Sequence, residues 1–170
     1  MILPLRIQKQ LLHNWCWAAA TSSISFYYYK NTRGWHQGQL AGRLLDNSCG
    51  LINPQNAGTA PDVCDTVLDI AQSLSLSGNY AGEQGRPLNF QEVISQINAG
   101  HPLCCQLFWP GLDGSHFVIV YGYESNQLIV GDPDPIHGGS FPIDYNMLLS
   151  DYRSGGQWVR TIGTRAPHTT

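Results

Sequence analysis

The 170-residue sequence has no basic patch and no run of like charge, and its formal net charge is only −3. That argues against nucleic acid as a partner and against a charged interaction tail. No apolar run is long enough to span a bilayer, so no membrane partner is expected. Met1 to Leu5 is apolar but too short for the apolar core of a signal peptide. Met1 itself reads equally as a native start or as a cut within a longer chain. There is no CxxC pair, so the five cysteines at 16, 49, 64, 104 and 105 offer neither a tetrahedral zinc site nor a redox dithiol. No metal and no cofactor is expected. The cysteine count is odd, so at least one thiol is left over whether the chain forms one disulfide, two or none. The simplest account is reduced structural cysteines plus one reactive thiol. There is no internal repeat and no low-complexity segment. With 42% hydrophobic residues, a chain of this length reads as one globular domain with a sizeable core.

What is present is organised around Asn14-Trp15-Cys16-Trp17-Ala18-Ala19-Ala20. Asn14 suits an N-cap, because its side-chain oxygen can accept an orphan backbone N–H one turn on. Trp15 and Cys16 would then fill the first helical positions. Trp17, Ala20, Ile24 and Tyr28 recur at helical spacing. A thiol at a helix start meets unpaired N–H groups and the positive end of the helix dipole, which favour the nucleophilic thiolate. Taken alone, Cys16 reads equally well as a small core residue.

The periodicity predicts a first helix over about 15–29, apolar nearly all round and therefore central. Residues 31–61 are rich in Gly, Asn and Gln, with a short helix expected near 39–45 and loop around Gly50 and Pro54. Thr59-Ala-Pro-Asp62 predicts the start of a second long helix, with Val63, Val67, Ile70, Ala71 and Leu74 on one face and Gly78-Asn79 as its stop. Asn89-Phe-Gln-Glu92 starts another, which ends at Gly100 before Pro102. The period then changes. Strands are expected at 103–109, 117–123, 128–131, 140–143 and 157–162, with a short helix near 145–152. The second strand is continuously apolar, as a strand covered on both faces should be. Helices first and strands second reads as an α+β fold with an antiparallel sheet. Cys104 and Cys105 are consecutive on a strand, point to opposite faces and read as core thiols. Trp15, Trp17 and Trp109 read as core or as cleft walls.

Gly114-Ser115-His116 opens the most apolar strand, and Asp132 follows His116 by sixteen residues within Gly131-Asp132-Pro133. On adjacent antiparallel strands such a pair ends side by side. The carboxylate can then hold one ring nitrogen and leave the other for the thiol. Gln10, six residues before Cys16, can offer a side-chain N–H to a developing oxyanion, with the Cys16 N–H as its partner. Each residue has an ordinary reading by itself: a strand-end histidine, a turn aspartate before Pro133, a surface glutamine. Asp134 competes with Asp132, and Gln8 competes with Gln10. His13, His36 and His137 lie in loop-like stretches and read as solvated, and His101 sits in a helix–strand turn. The order Gln, Cys on a helix, His on a strand, then Asp carries more than any one of them.

With those residues in hand, the chain resembles papain-like cysteine proteases. Within them it is most similar to the bacterial branch that includes double-glycine leader peptidases and plant-pathogen effector proteases. The matching positions are Gln10, Cys16 with its small-residue helix, His116 and Asp132. The segment from Phe90 to Cys105 also resembles the one preceding the His strand in that branch. The stretch 31–88 carries no motif of the branch, and substrate specificity is expected there. The resemblance implies one papain-like domain over 1–165, helical over about 1–100 and sheet over about 101–165, with the active site in the cleft between and a flexible tail at 166–170. It implies a cysteine endopeptidase in which Cys16 attacks, His116 serves as base then acid, Asp132 orients His116 and Gln10 stabilises the oxyanion. By analogy the role is a bacterial toxin or effector, secreted or injected into a target cell and acting in its cytoplasm on a protein or peptide substrate. An immunity or inhibitor protein would be a partner. Two alternatives share the pattern: a transglutaminase-like acyltransferase or deamidase, and a non-catalytic binding module of the same fold.

Overall fold

The computed structural model describes residues 1–168. Five α-helices and six strands alternate only loosely: α1 (Cys16–Tyr28), α2 (Gln37–Leu44), α3 (Ile70–Leu76), β1 (Tyr80–Gln84), α4 (Phe90–Asn98), β2 (Leu103–Phe108), β3 (Ser115–Glu124), β4 (Gln127–Asp132), β5 (Gly139–Asp144), α5 (Tyr145–Ser150) and β6 (Gln157–Thr164). The strands form one antiparallel sheet in the order β1-β6-β2-β3-β4-β5. This is the expected α+β class.

α1 is the central helix. Every residue from Cys16 to Ser25 is buried. Its alanines let the backbone approach β3, against which it packs. Burying a serine-rich stretch is tolerable only if each hydroxyl finds a partner. Thr21 Oγ1 pairs with Ser73 Oγ at 2.6 Å, and Ser22 Oγ donates to Gln8 Oε1 at 2.9 Å. Ser23 Oγ donates to the Ala19 carbonyl at 2.7 Å, and Ser25 Oγ accepts the Trp35 N–H at 3.0 Å. β3 is buried from Phe117 through Gly122, with α1 and α4 packed against it, which explains its unbroken apolar run. α4 starts on the expected capping box: Asn89 Oδ1 accepts the Glu92 N–H at 2.9 Å and Glu92 Oε2 accepts the Asn89 N–H at 2.8 Å.

Four expectations need correction. The long helix predicted from Thr59 is broken: Asp62–Cys64 is a single 3₁₀ turn and α3 begins only after Asp69, whose side chain caps it. Val63 and Val67, expected on its inner face, are 57% and 59% exposed. The physical cause is a cross-link. Cys49 and Cys64 are joined in a disulfide with Cα atoms 5.6 Å apart, so of the options the cysteine count leaves open the chain takes one bridge, and these two are not the reduced structural cysteines of the simplest account. The tie holds residue 64 off the path of a continuous α-helix into α3. β1 lies inside the stretch expected to be helical and pairs with β6. It is a mostly exposed edge strand with Gly82 at positive φ beside a bulge, so it has no alternating apolar pattern to announce it. Of the expected tail, residues 166–168 have no regular structure, and Thr169 and Thr170 lie outside the described residues.

Candidate active site

The start of α1 is knitted to the loop that Cys64 anchors. The Asn14 N–H donates to Asp65 Oδ1 at 2.7 Å, and Asn14 Nδ2 donates to the Asp65 carbonyl at 3.0 Å. The indole N–H of Trp15 donates to the Cys64 carbonyl at 2.6 Å, and that of Trp17 to the Thr66 carbonyl at 3.0 Å. Asn14 is therefore not the N-cap. Trp15 holds that position without a side-chain cap, because Asn14 is drawn sideways onto residue 65. Cys16 becomes the first helical residue, flanked by two fully buried indoles and left only 6% exposed. Its backbone N–H has no partner within the helix, as at any first turn.

Lining a cleft of about 580 Å³ with it is the N-terminal end of β3. The β3–β4 hairpin brings His116 and Asp132 together: His116 Nε2 lies 2.7 Å from Asp132 Oδ1. The ring's remaining nitrogen is Nδ1, and His116 and Cys16 line the same cleft. Burial by itself would lower the imidazole pKa. The Asp132 hydrogen bond, then the neighbouring Cys16 and the charges of both groups, outweigh it and carry the value up to about 9. A ring that is protonated at neutral pH can deliver that proton to a leaving group in the cleft.

Asp132 is fully buried and its environment explains how. Burial opposes its ionisation, but the His116 contact, the Tyr152 hydroxyl and the Asp134 N–H (2.9 Å to Oδ1) hold its pKa below the ordinary carboxylate value. The Arg153 guanidinium adds an ion pair at 3.0 Å to Oδ2. The rival Asp134 does not reach His116 through any described contact. Its Oδ1 accepts the N–H groups of Ile136 and His137 at 2.8 and 2.9 Å, so it shapes the loop beyond β4.

Gln10 lines the same cleft, anchored by its N–H to the Pro133 carbonyl at 2.8 Å. Its side-chain amide donates to the Leu12 and His13 carbonyls at 3.2 and 2.6 Å, and its Oε1 is buried without a partner. Gln8 points elsewhere, accepting from Ser22 Oγ and, at 3.4 Å, from Gln37 Nε2. His13 and His137 are exposed on the cleft rim, whereas His36 is exposed outside it. Cys104 and Cys105 are fully buried on β2, and burial raises the pKa of both thiols. Trp15 and Trp17 belong to the core, and Trp109 forms a cleft wall. Among the described residues no His/Cys/Asp/Glu cluster is arranged to hold a metal ion.

Two contributors escaped the sequence reading. Tyr152 and Arg153 follow α5; Tyr152 falls at the end of the helix expected near 145–152 and Arg153 lies just beyond it, and neither position hints at a turn inward on Asp132. The 64–66 clasp escaped too, because nothing in the cysteine spacing singles out 49 and 64 as partners.

A family model described as "Peptidase_C39 like family" matches residues 2–162. No curated protein matches the chain significantly. Among solved structures, the peptidase domain of Streptococcus ComA, a bi-functional ABC transporter involved in a quorum sensing pathway, superposes with a TM-score of 0.60 at 18% identity, over 96% of this chain and 99% of that one. A C39-like peptidase from Bacillus anthracis gives 0.59 at 15% identity, over 99% and 98%. A double glycine motif protease from an AMS/PCAT transporter, in complex with the leader peptide, gives 0.52 at 13% identity, over 96% and 93%. At these identities the likeness is one of fold.

Proposed function

The chain belongs to the Peptidase_C39 like family and is a cysteine peptidase, and on that premise we propose that it is an endopeptidase whose nucleophile is Cys16 and whose base is His116. The single observation that carries this is one cleft lined by both Cys16 and His116, with the His116 ring held by the buried Asp132. The Cys16 sulfur adds to the scissile carbonyl carbon as a thiolate. When the tetrahedral adduct collapses, the C–N bond breaks and His116 gives its proton to the leaving amine. Neutral His116 then takes a proton from water, the hydroxide attacks the thioester, and the acid leaves as the thiolate re-forms. Asp132 holds the ring through these steps. Gln10 and the Cys16 N–H are the oxyanion donors. In the free protein both Gln10 amide hydrogens rest on loop carbonyls, so substrate must draw one away, most simply from the longer contact with Leu12.

The substrate class is a peptide segment laid along the cleft. Exposed Val67, Leu112 and Ile136 at its rim favour apolar side chains on that segment. A toxin or effector role rests on the resemblance to effector proteases. The neighbour that holds a leader peptide favours a second reading, removal of leader segments from peptides made alongside it. The family match is to peptidases, so the acyltransferase alternative is supported only by the shared Cys-His-Asp order. The Cys49–Cys64 disulfide favours action in an oxidising compartment rather than in the cytoplasm.

The test is mass spectrometry of new chain ends in a susceptible proteome, and in double-glycine peptides, after exposure to wild type or to Cys16→Ala. Wild type should create ends that the variant does not, because loss of a nucleophile costs several orders of magnitude in rate. Identical end profiles overturn the proposal.

A further inference from the structure

Asp132 has more partners than a carboxylate needs merely to orient a histidine. Besides His116 and the Asp134 N–H, its Oδ2 receives the Tyr152 hydroxyl and the Arg153 guanidinium. These two residues come from neither β3 nor β4. They come from the turn between α5 and β6, and that turn is held in an uncommon shape. Arg153, Ser154 and Gly155 are consecutive residues with positive φ, at 44°, 64° and 107°. Two of the three are not glycine, so the backbone is strained there, as it often is where a fold must aim a side chain.

Several contacts hold the turn closed. Tyr152 and Gly156 exchange both backbone hydrogen bonds, at 2.9 and 2.7 Å. The Trp109 indole N–H donates to the Arg153 carbonyl at 3.1 Å. Gly156 has no room for a side chain, since a Cβ would come within 2.7 Å of the Trp109 ring. From this turn the Arg153 fork spans Asp132 Oδ2, Asp134 Oδ2 at 3.4 Å and the His137 carbonyl. It thereby links the buried carboxylate to the loop that forms the cleft rim.

The geometry points to Tyr152 and Arg153 as positioning residues that set the orientation and charge of Asp132, and through it the proton affinity of His116. This goes beyond the proposed peptidase mechanism but rests on its assignment of Cys16 and His116. The charged and titratable groups around Asp132 and His116 are few. Among the described residues they are Cys16 from α1, His116 from β3, Asp132 from β4, Asp134 from the following loop, and Tyr152 and Arg153 from the strained turn, with His13, Asp113 and His137 lining the same cleft.

The sign follows from electrostatics. The Arg153 cation opposes a second positive charge on His116. Without it the Asp132 carboxylate attracts the imidazolium alone, and the ring keeps its proton to higher pH. Without the Tyr152 hydroxyl the carboxylate loses a hydrogen bond that spreads its charge, which acts in the same direction but more weakly. Both changes free Asp132 to rotate, so turnover falls.

The experiment follows alkylation of Cys16 by iodoacetamide across pH, mapped by peptide, in wild type, Arg153→Met, Arg153→Lys and Tyr152→Phe. It needs no peptide substrate. The alkaline limb, set by loss of the imidazolium proton, should move up by about one unit in Arg153→Met and by less in Tyr152→Phe. It should return toward wild type in Arg153→Lys, which keeps the charge. Folded variants, checked by near-UV circular dichroism, whose limb stays at the wild-type position overturn the inference and leave the peptidase assignment standing. A wild-type profile matching that of a free thiol, with no imidazolium limb, overturns both.

Discussion

The two walls of the cleft are built by different physics. On the helical wall Cys16 is fixed by apolar burial, by indole and amide donors on a neighbouring loop, and by a covalent cross-link beneath that loop. Most of those hydrogen bonds join neutral groups, and no described ion pair involves a residue between Gln10 and Thr66. On the sheet wall His116 is fixed by charge: a buried carboxylate from β4, and an arginine and a tyrosine hydroxyl from the α5–β6 turn. The place of Cys16, the proposed nucleophile, should therefore respond to reduction and hardly to pH, whereas His116, the proposed base, should respond to pH and to charge-changing substitutions.

The largest expected effect breaks the sheet wall. Asp132→Ala should lower kcat/KM by about 10⁴, on the scale of removing the orienting acid of other triads. Asp132→Asn should lose less, since an amide oxygen still accepts from the ring. Asp134→Ala should lose several-fold at most, because its described hydrogen bonds hold the 134–137 loop and its contact with Arg153 is long. Steady-state kinetics on the three folded variants decide it. Greater damage from Asp134→Ala would mean that the loop, and not the His116–Asp132 contact, governs the base.

The same contrast explains what could be read from the sequence. Cys16, His116, Asp132 and Gln10 were legible because each is tied to a local pattern: a helix start, a strand opening, a sixteen-residue hairpin spacing and an upstream offset. The strands from β2 onward were legible because their period is strong. What failed was non-local. The break in the helix predicted from Thr59 comes from a disulfide to residue 49, and the loss of the Asn14 cap comes from a partner at residue 65. Tyr152 and Arg153 reach Asp132 only because the sheet brings the α5–β6 turn beside β4. No local pattern encodes those encounters.

A smaller effect is expected on the helical wall. Gln10→Ala should lower turnover by about 10²–10³, the usual loss for one oxyanion donor. Gln8→Ala should leave turnover nearly unchanged and reduce stability instead, because Gln8 Oε1 accepts from a buried serine of α1. Rate and melting temperature, measured on both, should therefore move in opposite patterns. A larger rate loss for Gln8→Ala would transfer the oxyanion role and leave Gln10 as a loop brace through its contacts with the Leu12 and His13 carbonyls.

The smallest expected effect on rate is the sharpest test of the comparison. The Cys49–Cys64 bond closes a loop with a sequence separation of 15. Opening such a loop in Cys49→Ser/Cys64→Ser frees the unfolded chain and should cost about 3 kcal/mol of stability, read from denaturant midpoints. In the surviving folded protein the carbonyls of residues 64–66 hold the start of α1 less firmly. Cys16 should then lose its fixed position opposite His116, and kcat/KM should fall by a few-fold. The groups around Asp132 and His116 are untouched, so the alkaline limb of Cys16 alkylation should stay where it is in wild type. If the limb moves with the disulfide, the two walls are electrostatically coupled and their separation into a covalent side and a charged side is wrong. If stability is unchanged, the clasp on α1 holds without its cross-link, and the hydrogen bonds from Asn14, Trp15 and Trp17 alone suffice to place the nucleophile.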